Sequence, residues 1–550
     1  MQHLSKHKHT PGRSNGIFSG VFVLTVSNLI VKCIGLFFKI PISYILTDEG
    51  MGYFNAAYTI YTWLYMLSTA GVPVAISILV SKALAQGDIE KAESQRKTAT
   101  RFLCLVGILG TAFVLIFARK IAYFVGSPSS VYAIIAIAPT LLFVCVSSVQ
   151  RGYFQGRTWM HPTAWSQIFE GAGKLVPGIL LAVWAMKSGK SLPEVAGYTV
   201  LGVTFGAFFS MVYLLLIRRK YQRQGLILHA RQVKDTGWRE NIRSLCKIAL
   251  PITISATVMS VTNLIDLGMI MRQLQRIGYS ATQASALYGN YTTLVVPLFN
   301  LPSVFVYPIA YAIVPVLSDA IAKHKHEQAR GVGASALRYS TMIAMPFALG
   351  IGAFSYPILS AIFPSSSAEI AAPYLTVISP GIVFICILAV TNSILQAYGE
   401  QNKPIISMLI GGMVKIISGY FMIGSPKIGM MGAPLGTLFC YITVAFINFY
   451  FIRKKTGISP GTMNFLLKPL FCAGVSVLVA SALYRNLISW ANPLLLLACS
   501  ALLAVLLYVV LVFKLSLFSE EELTKIPKIR QIWIKIKGRK HKKRSLLGLK

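Results

Sequence analysis

The sequence predicts an all-α integral membrane protein: fourteen transmembrane helices, arranged as two pseudo-symmetric six-helix lobes with two extra helices at the C-terminal end. Three observations predict it. The 550 residues are 55% hydrophobic and only 13% charged, with mean hydropathy +0.64, where a soluble protein carries about a quarter charged residues. Fourteen apolar stretches of 17 or more residues recur along the chain, each long enough to cross a hydrocarbon core of about 30 Å. Lysine and arginine crowd alternate loops, the asymmetry that sets membrane orientation.

The first stretch, 18–46, follows a polar, basic start. It is too long for a cleavable signal and lacks a small-residue cleavage site, so it reads as a retained span. Along it Asn28, Lys32, Gly35 and Lys39 fall 4, 3 and 4 residues apart and form one stripe, with the two ammonium groups about 10 Å apart along the axis. The second, 53–81, is interrupted by Ser68-Thr69-Ala70-Gly71-Val72-Pro73. The third and fourth, 102–118 and 131–153, are apolar. The fifth, 163–186, puts Gln167, Glu170 and Lys174 on one face. Glu170 precedes Lys174 by four residues, the favourable order for a helical ion pair, so mutual neutralisation and a role in a cavity both stay open.

After the sixth stretch, 195–217, comes a loop holding Arg218, Arg219, Lys220, Arg223, Arg231, Lys234, Arg239, Arg243 and Lys247. The seventh, 246–271, contains one acid well inside, Asp266; the eighth, 287–318, is punctuated by Pro297, Pro302 and Pro308. Proline frees backbone carbonyls and permits bending. The ninth and tenth are 339–361 and 372–397. The eleventh, 404–423, holds Lys415 among Gly411, Gly412, Ser418 and Gly419 with no acid of its own, so Asp266 is its expected partner across helices, as a structural pair or part of a gate. The twelfth to fourteenth, 429–452, 465–484 and 493–513, complete the set.

Lys32, Lys39, Lys174 and Lys415 therefore lie inside hydrophobic segments. An ammonium near the bilayer centre costs about 2.5–3.5 kcal/mol on insertion scales and normally faces a polar interior. Four of one sign predict a water-filled cavity that receives an anion. The alternative for Lys32 and Lys39 is that they snorkel to opposite interfaces. The formal charge of +35 does not imply nucleic acid, because it sits in loops consistent with both termini being cytoplasmic in a cell membrane. Enzymatic chemistry finds little support. There is no Asp-x-Asp pair or His/Glu metal spacing, Gly189-Lys190-Ser191 lacks the upstream glycine of a phosphate loop, and only 17 acids exist. No cofactor or metal is expected. The eight cysteines lie in or beside spans without close pairs and read as packing residues.

The chain also repeats itself. Pro139, Phe143, Cys145, Val149 and Gln155 match Pro380, Phe384, Cys386, Val390 and Gln396 at an offset of 241, and Lys174 and Gly178 match Lys415 and Gly419 at the same offset. Tyr53 and Asn55 match Tyr288 and Asn290 at 235. A six-helix repeat enters the membrane the same way twice, which puts a substrate site between lobes related by an axis along the membrane normal. The expected organisation is a tail (1–16), an N-lobe (17–217), a basic loop (218–245), a C-lobe (246–453), two further helices (454–515) and a basic tail (516–550). In that last segment Ile529, Ile532 and Ile536 share a helical face beside a polybasic run, as in an interfacial helix attracted to anionic lipid; a disordered tail is the alternative.

Two segments carry a family resemblance. They are Gly50-Met51-Gly52-Tyr53-Phe54-Asn55-Ala56-Ala57-Tyr58, followed by Leu67 to Ser77, and Arg151-Gly152-Tyr153-Phe154-Gln155-Gly156, leading into Met160-His161-Pro162-Thr163-Ala164 and Ser166-Gln167. They resemble the stage V sporulation protein B branch of polysaccharide exporters, close to lipid II flippases within the multidrug/oligosaccharidyl-lipid/polysaccharide superfamily. The resemblance implies a MATE-like pair of lobes, an inward-open cationic cavity, and final helices that guide a polyprenyl tail. It also implies that basic residues of the first helix, here Lys32 and Lys39, meet a lipid-linked pyrophosphate. Some members carry acids on helices seven and eleven for sodium; here helix eleven offers Lys415 instead. The expected function is export of an undecaprenyl-pyrophosphate-linked saccharide such as a peptidoglycan precursor, with anionic lipids and cell-wall synthesis enzymes as candidate partners. The rivals are transport of a capsule, spore or teichuronic-type unit, drug/cation antiport, and a scaffold that recruits synthases through the basic tail.

Overall fold

The structure is a computed structural model and describes residues 13–227, 237–458, 461, 463–489, 492–515 and 517. The N-terminal tail up to residue 12, part of the basic loop and the C-terminal tail beyond 517 lie outside the described residues, and with them the expected interfacial helix. The described chain is helical, with no strand among its residues. The helices are α1 Arg13–Thr69, α2 Val72–Ala85, α3 Ile89–Val125, α4 Val131–Ile137, α5 Thr140–Gly156, α6 Met160–Lys187, α7 Leu192–Arg223, α8 Trp238–Arg276, α9 Ala281–Asn290, α10 Val296–Asn300, α11 Ser303–Ala322, α12 His326–Ala353, α13 Ser355–Ile362, α14 Ser365–Ile378, α15 Gly381–Ala397, α16 Asn402–Ile423, α17 Gly432–Thr456, α18 Lys468–Leu487 and α19 Pro493–Lys514.

Among the described residues ten helical runs are long and apolar enough to cross a membrane, or up to twelve when two bent pairs, α12 with α13 and α14 with α15, each count as one span. One of the ten, Ile30–Ala85, is 56 residues long. At a rise of about 1.5 Å per residue it is far too long for one hydrocarbon core. It is kinked at Thr47, whose φ of 59° and ψ of −179° are non-helical. A positive φ is costly for a β-branched residue, so Thr47 marks a strained break between two helical segments. The helix starts are conventional. Asp88 accepts the Lys91 amide at 2.8 Å before α3, while Ser191 with Glu194 and Ser280 with Gln283 form capping boxes before α7 and α9.

Two compact units divide the chain. The first holds Met1–Leu298, Ile362–Tyr374 and Ile405–Cys440; the second holds Phe299–Ala361, Leu375–Pro404 and Tyr441–Lys550. Within the first, Ile76, Val80, Leu103, Val149, Tyr153, Phe154 and Leu214 are buried in one core cluster. Within the second, Phe354, Val477, Ala480 and Tyr484 make one cluster, and Met342, Cys472 and Val512 another. The repeat seen in the sequence has a local counterpart: α5 begins after Pro139 and α15 after Pro380, and both are 17 residues long.

In the first unit α6 lies flush against α7. A Cβ on Gly202 would strike the Gly178 backbone, and one on Gly206 would strike the Glu170 carbonyl. Gly202 and Gly206 form a small-xxx-small seam, which lets two membrane helices touch along their backbones. That seam fixes the helix that carries Glu170 and Lys174.

Candidate anion-binding site

The first unit holds all four lysines that the sequence singles out. Lys39, on α1, donates from Nζ to the Thr292 carbonyl at 3.0 Å. Thr292 belongs to Tyr291–Val295, a single π-helical turn between α9 and α10. Such turns are rare and gather at functional sites. Lys174, on α6, stands over two α1 rings, with Nζ 4.8 Å from the centre of Phe38 and 4.5 Å from that of Tyr58. This is cation–π distance, and the Lys39 and Lys174 charges repel one another across the site. Lys32 is exposed on α1. Asn28 lies in the same helix, and its side chain is outside the described set.

Below the Phe38 contact, α1 carries a ladder of rings. Phe54, Tyr58, Tyr61 and Tyr65 follow at centre-to-centre distances of 5.9, 5.8 and 5.6 Å. Their spacing of 4, 3 and 4 in the sequence signals one face, a pattern the sequence reading left unused.

Glu170 does not pair with Lys174. Its Oε2 accepts from Arg151 Nη2 at 2.6 Å. Arg151, near the end of α5, also donates to Ser166 at 2.9 Å and to Ser210 at 2.9 Å. Three oxygens on α6 and α7 thus fit one planar fork, geometry that a lysine four residues away on the same helix cannot match. The result frees Lys174 from the nearest acid and leaves it on the rings. Sequence reasoning used Arg151 only as part of a family motif; the available signal was an arginine at the end of an apolar span.

Lys415 on α16 forms an ion pair with Asp266 on α8. Both side chains are largely buried, at 15% and 14% exposure, and Tyr291 and Thr437 line the same small pocket. A second buried ionic cluster, not anticipated, joins Glu93 to Arg96 at 2.7 Å and to Arg218 at 2.5 Å.

The second unit holds a cavity of about 1350 Å³. Phe384, Ile387, Phe446, Phe449, Leu470 and Leu478 give it an apolar wall, and Arg453 is its one charged lining residue. Leu470 and Leu478 come from α18, within the extra C-terminal helices. Among the described residues no group of three or more histidine, cysteine or acidic side chains could hold a metal ion.

Two known families match. Residues 17–321 match the family described as polysaccharide biosynthesis protein, which is more than half of the chain. The chain belongs to the polysaccharide biosynthesis protein family. Residues 289–421 also match the MatE family. Among relatives of this family member, stage V sporulation protein B of Bacillus subtilis (strain 168) is 23% identical over 521 residues, covering 94% of this chain and 98% of the relative. The lipid II flippase MurJ of the same organism is 24% identical over 465 residues, covering 81% and 84%. In fold the chain is similar to a solved inward closed conformation of lipid II flippase MurJ, with TM-score 0.68, 14% identity and coverage of 90% and 99%. It is also similar to an inward-facing multidrug resistance MATE transporter of the MOP superfamily, at TM-score 0.63, 14% identity and coverage of 81% and 98%. The family member is thus a multi-pass membrane protein with the fold of that superfamily.

Proposed function

We propose that the chain is a flippase that moves an undecaprenyl-pyrophosphate-linked saccharide, such as a peptidoglycan precursor, from the inner to the outer leaflet of a bacterial cell membrane. The observation that carries the reading is the pairing of two basic side chains on α1 and α6, Lys39 and Lys174, neither with a carboxylate partner among the described residues. An ammonium held by a carbonyl or by ring faces has no carboxylate competing for it when an anion arrives, whereas one paired to an acid does. Lys32 and Asn28 extend the same α1 stripe toward the side that carries the N-terminus, which the reading takes as cytoplasmic. Glu170, held by Arg151, and Asp266, held by Lys415, form ion pairs whose breaking and re-forming would accompany gating.

The mechanism is alternating access between an N-lobe and a C-lobe, with no covalent step. The pyrophosphate binds the lysines facing inward, the lobes rock, and the headgroup leaves outside. The apolar cavity beside α18 takes the polyprenyl tail. The family membership and the resemblance to stage V sporulation protein B and MurJ support this reading. The test is transport in vesicles containing the purified protein and defined undecaprenyl-pyrophosphate saccharides, scored by access of an external sugar-modifying reagent. Lys39→Met and Lys174→Met, inserted normally, are expected to slow transport about tenfold or more, the loss of one charge-assisted contact. Transport at the unmodified rate in both variants would remove the lysines from the mechanism.

A further inference from the structure

The π-helical turn and a proline together leave one backbone carbonyl without its own donor. In a regular α-helix Thr292 would receive the amide of Val296 and Thr293 that of residue 297. Here the Val296 amide goes instead to Tyr291, one residue further back. In the widened register the next donor for Thr292 would be residue 297, which is Pro297 and has no N–H. Both backbone routes to the Thr292 carbonyl are therefore closed. Lys39 fills the gap from α1, at 3.0 Å. The turn is pinned beside it by Asn55, whose Nδ2 donates to Thr293 Oγ1 at 2.6 Å. The chain leaves the first compact unit three residues after this turn, between Leu298 and Phe299.

An ammonium has three donors, and a phosphate oxygen is a far stronger acceptor for them than a neutral carbonyl. We propose that Lys39 and the Thr292 carbonyl form an anion-released latch. In the empty protein the ammonium closes the backbone break; when a pyrophosphate-bearing headgroup enters, Lys39 swings to it, the carbonyl is left open, and the turn loosens. Lys39 is thus a positioning residue for the turn as well as a ligand for the anion. The trigger rests on the anion-transport reading; the latch itself does not.

Hydrogen exchange of the full-length protein in micelles, read over residues 288–302, tests it without any transport assay. Inorganic pyrophosphate is the probe. Exchange of this segment in the unmodified protein is expected to rise about tenfold with pyrophosphate, the scale of one charge-assisted hydrogen bond. Lys39→Met should show the raised rate from the start and no further response, while Lys39→Arg, which keeps the donor, should behave like the unmodified chain. Pro297→Ala supplies the amide that the widened register lacks, closes the Thr292 carbonyl without Lys39, and should abolish the pyrophosphate response without removing the lysine. The latch is overturned if Lys39→Met exchanges at the unmodified rate, or if pyrophosphate raises exchange equally with and without the Lys39 ammonium. A chain that carries some other phosphate-bearing cargo would still pass, and one without the latch would fail whatever its cargo, so the result is separable from failure of the flippase reading.

Discussion

Lys415 and Asp266 put opposite charges face to face where neither would be stable alone, each about six-sevenths buried. Asp266 Oδ1 has no hydrogen-bond partner, so the carboxylate depends on the ammonium contacting Oδ2. Removing one member of a buried pair strands the other and costs about 3–5 kcal/mol, whereas replacing both by apolar groups is often neutral. Asp266→Asn alone should therefore lower the unfolding free energy in micelles by that much, and Asp266→Asn with Lys415→Met should recover most of the loss. Equal stability of the single variant and the parent would show that the pair is solvated. The two residues stand out in the sequence because each is the lone charge deep in its span. Glu170 was not legible in the same way. The i,i+4 rule ranks partners on one helix and is blind to Arg151 arriving from another with two serines already placed to orient it.

At the scale of elements, what the sequence shows clearly is where backbone chemistry forces a break. Pro139 and Pro380, 241 residues apart, each open a 17-residue helix, and a proline at that boundary can be read without any tertiary knowledge. The π-turn before Pro297 was legible only as a proline in an apolar run; the widened register depends on Asn55 and Lys39, which are more than 200 residues away in the chain. Helix contact through glycine is also invisible in one dimension, since a buried seam and an idle glycine look alike. The structure separates them. Gly206→Leu would drive a side chain into the Glu170 backbone and should destabilise by about 1–3 kcal/mol or more, with loss of the Arg151–Glu170 geometry. Gly331, inside α12, has nothing within 4 Å of an added Cβ, so Gly331→Ala should stabilise by about 0.5–1 kcal/mol. Thermal unfolding of the two variants side by side checks the contrast; a stable Gly206→Leu protein would mean α6 and α7 are not held in contact.

For the whole molecule, the balance of 52 basic against 17 acidic residues matters through its placement. Charges in loops are screened within about 8–10 Å at physiological ionic strength, whereas those inside spans act in a medium that screens them poorly. On the proposed reading the membrane potential then becomes the natural driving force, because an anion moving out of an inside-negative cell gains about 2.3 kcal/mol per charge for each 100 mV. A sodium gradient has no comparable foothold. The carboxylate that would bind the ion, Asp266, already holds the Lys415 ammonium, and a tethered cation in contact excludes a free one by charge and by volume. Vesicle transport should consequently accelerate when an inside-negative potential is imposed and stay unchanged, within about twofold, when a sodium gradient is imposed at fixed potential. In Lys415→Met the carboxylate is exposed to ions, so sodium should begin to matter there through binding, measurable as a sodium-dependent rise in the unfolding midpoint. Sodium dependence in the unmodified protein, with no response to potential, would place the coupling elsewhere and make the buried pair purely structural.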